Sequence, residues 1–222
     1  MRRAALLATA IAIATATATA SATPTPTPTP TETATAPRDA LDDAKLDALL
    51  ADIAKARATV KTLRADFVQE RRLALFATSV KSTGKLVFVA PERLRWELAP
   101  PDDVVYWIGP EGLSYRTRSS GATVPATNVG RALADLRALL GGDLGKLRER
   151  YVLSATRGAS DVAIDGTAKD KAASVRAFTL VLDKALVLPL RAKLVEGKAD
   201  TIDVVFSNAV VNAPVDAAIM KP

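Results

Sequence analysis

Residues 84–101 read GKLVFVAPERLRWELAPP, a stretch in which apolar and polar positions alternate. Leu94, Trp96 and Leu98 fall on one side of an extended chain, and Arg93, Arg95 and Glu97 on the other. Successive side chains of a pleated strand point to opposite faces, so this period of two predicts a strand with one face buried. Leu86 and Phe88 repeat the pattern in 85–90, where Val87 and Val89 soften the contrast, and Pro91-Glu92 joins the two runs as a turn. The oily face is large for so short a hairpin.

The same alternation predicts further strands at 63–69, 78–90, 104–108, 113–117, 151–156, 162–168, 175–182, 190–196 and 201–208. Pro189 is placed at a strand entrance, because proline inside a central strand removes a ladder hydrogen bond. Consecutive short strands with little helix between them form a meander, and meanders are antiparallel. Three segments break the period. In 39–60, Leu46, Leu49, Leu50 and Ile53 recur at helical spacing behind Leu41, with Asp42 and Asp43 at the positive end of the helix dipole. Residues 118–127 are polar, contain Gly121 and Pro125, and read as a break. Asn128 then caps a helix over 129–140 with Leu133, Leu136, Leu139 and Leu140 on one side; Gly141-Gly142 stops it, and 143–150 forms a second short piece. The tail at 210–220 is irregular. About ten strands in one sheet curl toward a barrel or half-barrel, and two apolar-striped helices are available to fill it. The fold class is α+β, mainly antiparallel β: an unclosed β-barrel with an N-terminal helix and a central helical lid over a hydrophobic cavity.

Ahead of this domain, Met1-Arg2-Arg3 is cationic, 4–13 is apolar, and Ala20-Ser21-Ala22 has the small-x-small form of a cleavage site. That order predicts a secretory signal peptide over 1–22 and export to the periplasm. Residues 4–20 are rich in Ala and Thr and too weakly apolar for a stable span of ~20 residues. Alternating Thr and Pro over 23–30 opens an extended tether, 23–40, and the folded domain is assigned to 41–222.

Composition removes whole classes of chemistry. The 222 residues include neither Cys nor His, which excludes Cys and His nucleophiles, His bases, the usual zinc sites and disulfides. The formal charge of +6 includes Arg2 and Arg3 of the leader, and aromatics make up 5%. No basic stripe interleaved with aromatics exists, so no nucleic-acid partner is expected. Ser82-Thr83-Gly84-Lys85 fits S-x-x-K without companion motifs, and Gly141-Gly-Asp-Leu-Gly145-Lys146 is one residue short of a phosphate loop and lacks the following Ser or Thr. No nucleophile–base pair can be named, so the chain is not expected to be an enzyme and no cofactor is called for.

Several short motifs occur together in a fixed order: Phe67-x-Gln69, Gly84-Lys-Leu-x-Phe88, Pro91-x-x-Leu-x-Trp96-Glu97, Pro101, Leu113-x-Tyr115, and Phe206-x-Asn208 followed by Asn212. In content and order they resemble the LolA family of periplasmic lipoprotein carriers, over the length from about Leu41 to the end. The resemblance implies an unclosed β-barrel whose helical lid encloses a hydrophobic cavity for acylated lipoproteins or other lipids. It implies receipt from an inner-membrane ABC lipoprotein transporter and delivery to an outer-membrane receptor. Many members carry Arg immediately before the motif proline, where it helps hold the lid; here that position is Ala90. The departure leaves room for another lipid or glycolipid as cargo, and retention of the leader as an anchor would favour a membrane-anchored periplasmic sensor on the same fold.

On this reading Leu86, Phe88, Leu94, Trp96, Leu98, Trp107, Phe178, Leu180 and Leu182 are candidates for the cavity wall, and Leu133, Leu136 and Leu140 for the lid. The carrier is expected to work as a monomer.

Overall fold

A computed structural model of the chain describes residues 38–74, 78–124, 138, 141, 144–197 and 199–222. The proposed leader, most of the tether and the lid positions Leu133, Leu136 and Leu140 lie outside these residues. The strand β1 (Asp39–Ala40) leads into helix α1 (Asp43–Ala58). Six strands follow in succession: β2 (Thr62–Leu73), β3 (Thr78–Val89), β4 (Arg93–Leu98), β5 (Val104–Gly109), β6 (Gly112–Thr117) and β7 (Gly121–Val124). After the short helix α2 (Leu144–Leu147) come β8 (Tyr151–Arg157), β9 (Asp161–Ala168), β10 (Val175–Asp183), β11 (Pro189–Glu196) and β12 (Asp200–Val211), and a 3-10 turn at Ala217–Met220.

The strands form one antiparallel sheet in the order β1-β8-β9-β10-β11-β12-β2-β3-β4-β5-β6-β7. Two meanders, β2–β7 and β8–β12, are joined where the last strand pairs with the second, Phe206 opposite Phe67. β1 and β7 remain as separate edges, so the sheet is unclosed, as expected. No helix among the described residues is long and apolar enough to cross a membrane.

The sequence reading misses two strands, each with a physical reason. Asp39 and Ala40 are paired with β8 rather than helical, since Asp42 is extended (φ −72°, ψ 170°) and caps α1 by accepting a hydrogen bond from the Lys45 amide at 2.9 Å. The helix ends at Ala58, where the Thr59 hydroxyl donates to the Ala56 carbonyl. β7 lies inside the segment expected to be a break. There the Thr117 hydroxyl accepts from the Ser119 and Ser120 amides, which turns the chain back onto β6. At four residues, Gly-Ala-Thr-Val, the edge strand is too short for a hydrophobic period to register.

One buried cluster holds the fold together. It takes Leu46, Leu49, Leu50 and Ile53 from α1, Leu144 and Leu147 from α2, and one face of the sheet. At its centre Phe67 stacks on Trp96, ring centroids 4.0 Å apart, and Trp96 meets Phe206 edge-on at 6.3 Å. Phe67 lies directly over its cross-strand partner Gly84: a Cβ there would come within 2.4 Å of the ring and 2.0 Å of the Glu97 carbonyl oxygen. The other meander repeats the device, with Phe178 over Gly166 and Tyr151 edge-on to Phe178 at 5.1 Å. Glycine opposite an aromatic ring lets the ring lie flat on the sheet and the sheet bend around it.

Asn208 and Asn212 take left-handed backbone angles, φ 51° and 58°. Asn208 marks a register shift in β12 and donates its side-chain amide to Asp66 at 2.9 Å. Asn212 ends that strand; its side-chain oxygen accepts from the Lys61 amide at 2.7 Å and its side-chain nitrogen donates to the Thr59 carbonyl at 3.1 Å. Asparagine tolerates this backbone region and supplies the bonds that tie the C-terminal strand to the helix–strand junction.

Two stability outcomes follow. Gly84→Ala places a methyl against fixed backbone and is expected to cost ~1–3 kcal/mol in urea unfolding; an unchanged midpoint would contradict the packing of Phe67 on Gly84. Asn212→Ala loses both side-chain bonds and acquires backbone strain, for about 1–3 kcal/mol, whereas Asn212→Gly keeps the backbone free and should cost less. Equal losses would show that φ at this position is immaterial.

Candidate functional site

Most of the expected wall is solid core. Leu86, Leu94, Trp96, Phe178, Leu180 and Leu182 are each at most 5% exposed and belong to the central cluster. Strand register explains why they meet: Leu86 faces Trp96 and Phe88 faces Leu94 across β3–β4, while Leu180 faces Ile164 and Leu182 faces Val162 across β10–β9. Leu98 is half-buried at the margin of the cluster, beside Gly84.

Trp107 does not join them. Alternation along β5 puts Tyr106 and Ile108 beside Trp96 and Leu94, and Trp107 beside Arg95 on the opposite face. There its indole N–H donates to the Ile219 carbonyl at 2.8 Å, and the guanidinium of Arg116 lies 5.1 Å from the ring. Trp107 anchors the C-terminal turn rather than lining the concave wall.

A cavity of about 660 Å³ opens at the edge of the core. One side is the C-terminal half of α1, with Leu50, Ala51, Ala54, Arg57 and Ala58, together with Val60 two residues beyond its end. Phe88, Ala90 and Pro91, from the end of β3 and the turn that follows, form the other side. Gly141, Gly145 and Arg148 complete the lining, and a Cβ at Gly141 would sit 3.7 Å from the Phe88 ring. Phe88 is thus the one expected wall residue that borders this space. The size is within the ~300–1,000 Å³ range of small-molecule sites.

The α1 contribution was not anticipated, although its signal is in the sequence. Ala51, Ala54 and Ala58 recur at i, i+3 and i+7, a shallow stripe next to the leucine stripe, and small side chains leave room between a helix and what faces it. Arg57 falls four residues after Ile53, in register with the buried stripe itself.

Arg57 is only 4% exposed. Its Nη1 donates to the Val187 carbonyl in the β10–β11 turn, while Nε and Nη2 have no hydrogen-bond partner among the described residues. Burial pushes its pKa down to about 10, against the opposing pull of Asp183. The Asp183 carboxylate is itself engaged, accepting from the Val187 and Leu188 amides at 2.8 Å each. Arg148, the second cation of the lining, is paired with Asp47. No acidic residue lines the cavity among the described residues, so the space is apolar with a positive bias. Position 90, before the motif proline, is alanine on the same wall; the charge here comes from α1 and the α2 end instead.

Solved structures with similar folds include a LolA superfamily protein, NE2245, from Nitrosomonas europaea, with 8% identity, 79% of this chain and 97% of that chain covered, and a TM-score of 0.44. A putative outer membrane lipoprotein-sorting protein domain from Vibrio parahaemolyticus matches at 12% identity, covering 78% and 94%, with a TM-score of 0.45. The Mycobacterium tuberculosis lipoprotein LppX matches at 14% identity, covering 79% and 99%, with a TM-score of 0.43. No curated protein matches the chain. The model of the outer membrane lipoprotein carrier protein LolA matches residues 58–222, more than half of the sequence and every strand from β2 onward, and the chain belongs to the LolA family.

Proposed function

We propose that the protein is a periplasmic carrier that shelters the acyl chains of lipoproteins and shuttles them from the inner to the outer membrane. Membership of the LolA family carries this reading, and the 660 Å³ apolar space beside α1 supports it. The physical need is simple. An acyl chain leaving a membrane exposes apolar surface at ~0.8 kcal/mol per CH₂, so a carrier needs covered area and no chemistry. In this reading the leader exports the chain, an inner-membrane ABC transporter loads it, and an outer-membrane receptor unloads it.

The space between α1 and the Pro91 turn serves as the entrance. Leu50 of α1 and Phe88 of β3 already contact the central cluster, so a chain that enters further must displace contacts the protein makes with itself. That competition lowers net affinity and makes release possible. Leu133, Leu136 and Leu140 are proposed to cover the entrance as the lid, leading into Gly141, which sits over Phe88.

Ala54→Trp places a large ring at an exposed position of α1 that lines the entrance, where the fold has no need of the alanine. It is expected to weaken binding of a fluorescent acylated peptide by on the order of tenfold with the melting temperature unchanged. Full affinity in a folded Ala54→Trp protein would show that cargo does not use this space. For the lid, a Leu133→Gly, Leu136→Gly double variant is expected to retain more lipid through gel filtration, read by mass spectrometry; retention equal to the parent's would remove these leucines from the lid.

A further inference from the structure

We propose that Arg57 is an anion subsite at the wall of the cavity, and that the preferred occupant is a lipid whose acidic headgroup, a carboxylate or a phosphate, pairs with this guanidinium. The inference rests on the carrier reading of the cavity and specifies the cargo it takes.

Guanidinium has five N–H donors in a planar fork. The turn at Val187 uses Nη1 alone, a bond that any single donor could make. Among the described residues Nε and Nη2 have no partner, and they are adjacent on one edge of the plane. That edge is the side-on geometry that grips a carboxylate or phosphate through two parallel hydrogen bonds. A buried charge with unpaired donors is costly, and an apolar residue of similar volume at a helix stripe position is neutral or stabilising in comparison. A purely structural clamp therefore gives no reason for arginine here.

The surroundings define what would pair with it. Asp183 accepts both turn amides at Oδ1, and although its charge acts on the guanidinium it makes no direct hydrogen bond to Arg57 among the described residues. The rest of the lining is mainly apolar, including Leu50, Val60, Phe88 and Pro91, and its other cation, Arg148, is paired with Asp47. An apolar slot with an unsatisfied cation on its wall suits an amphiphile with a negative head. A neutral lipid fills the slot and leaves the guanidinium as it was.

The test uses the full chain and two matched pairs of probes: the fluorescent polyene fatty acid cis-parinaric acid with its methyl ester, and phosphatidic acid with diacylglycerol of the same chains in mixed micelles. The acidic member of at least one pair is expected to bind roughly tenfold more tightly, and the pair with the larger ratio identifies the head as carboxylate or phosphate. Arg57→Met is expected to bring the acid down to the affinity of its neutral partner while leaving the neutral lipid within about threefold. Should Arg57→Met fail to fold, the acid-to-neutral comparison in the unaltered protein still decides. Equal binding of acidic and neutral members overturns the subsite and leaves the carrier reading standing. A preference that persists in folded Arg57→Met overturns it as well. Binding of none of the four probes overturns the subsite, and the carrier reading is then decided by the acylated-peptide assay alone.

Discussion

The stacking of Phe67 on Trp96 above Gly84 is the contact from which the rest of the architecture follows. It ties three neighbouring strands, β2, β3 and β4, and reaches β12 through Phe206, so it lies across the junction of the two meanders. A flat sheet of this many strands would expose one whole apolar face. Rings laid over glycines on the inner face let the sheet curl instead, and the curl makes a trough deep enough for α1. Phe178 over Gly166 does the same for the second meander. Each glycine is required by the ring above it, and each ring is buried because the glycine leaves it room.

A trough filled in this way is a different object from a hollow barrel. The centre is closed by aromatic side chains and by the leucines of α1, and among the described residues the space of about 660 Å³ lies where the helix presents alanine and the β3–β4 turn presents Pro91. Cargo that needs more room must gain it by separating surfaces that are already in contact. The binding energy observed is then the difference between two apolar burials, not the whole of one. Such a balance suits a carrier, which has to give up its load in water.

The fold was legible because the strands obey a period of two under one-sided burial. Leu94, Trp96 and Leu98 announce β4 without help from elsewhere. The missed strands are those whose pairing owes nothing to burial: β1 is held by backbone bonds to β8, and β7 by a hydroxyl-centred turn. For the site, period alone sorted residues by face and could not tell a packed face from a lined one. Leu180 at 0% exposure and Phe88 at 2% look alike in the sequence and in burial, yet only Phe88 borders the opening. The assignment of Trp107 to the wall failed on the same rule that served elsewhere, since its neighbours Tyr106 and Ile108 hold the inward positions. Asn208 and Asn212 were visible only as part of a motif; their reason is a positive φ, which no polarity pattern records.

Arg57 reverses the usual relation between pattern and burial. Its position in the α1 stripe predicts an apolar residue, and the structure buries it as if it were one. Local propensity does not object, because arginine is a good helix former and a cation near a helix C-terminus is favoured by the dipole. Those terms are worth a few tenths of a kcal/mol to about one, too little to offset the burial of a guanidinium with two nitrogens unpaired among the described residues. The imbalance sits next to the largest cavity among those described. Breaks of a local rule are expected at functional or strained sites, and this one lies beside an opening. For this protein that argument points to the charged end of the cargo as well as to its chains.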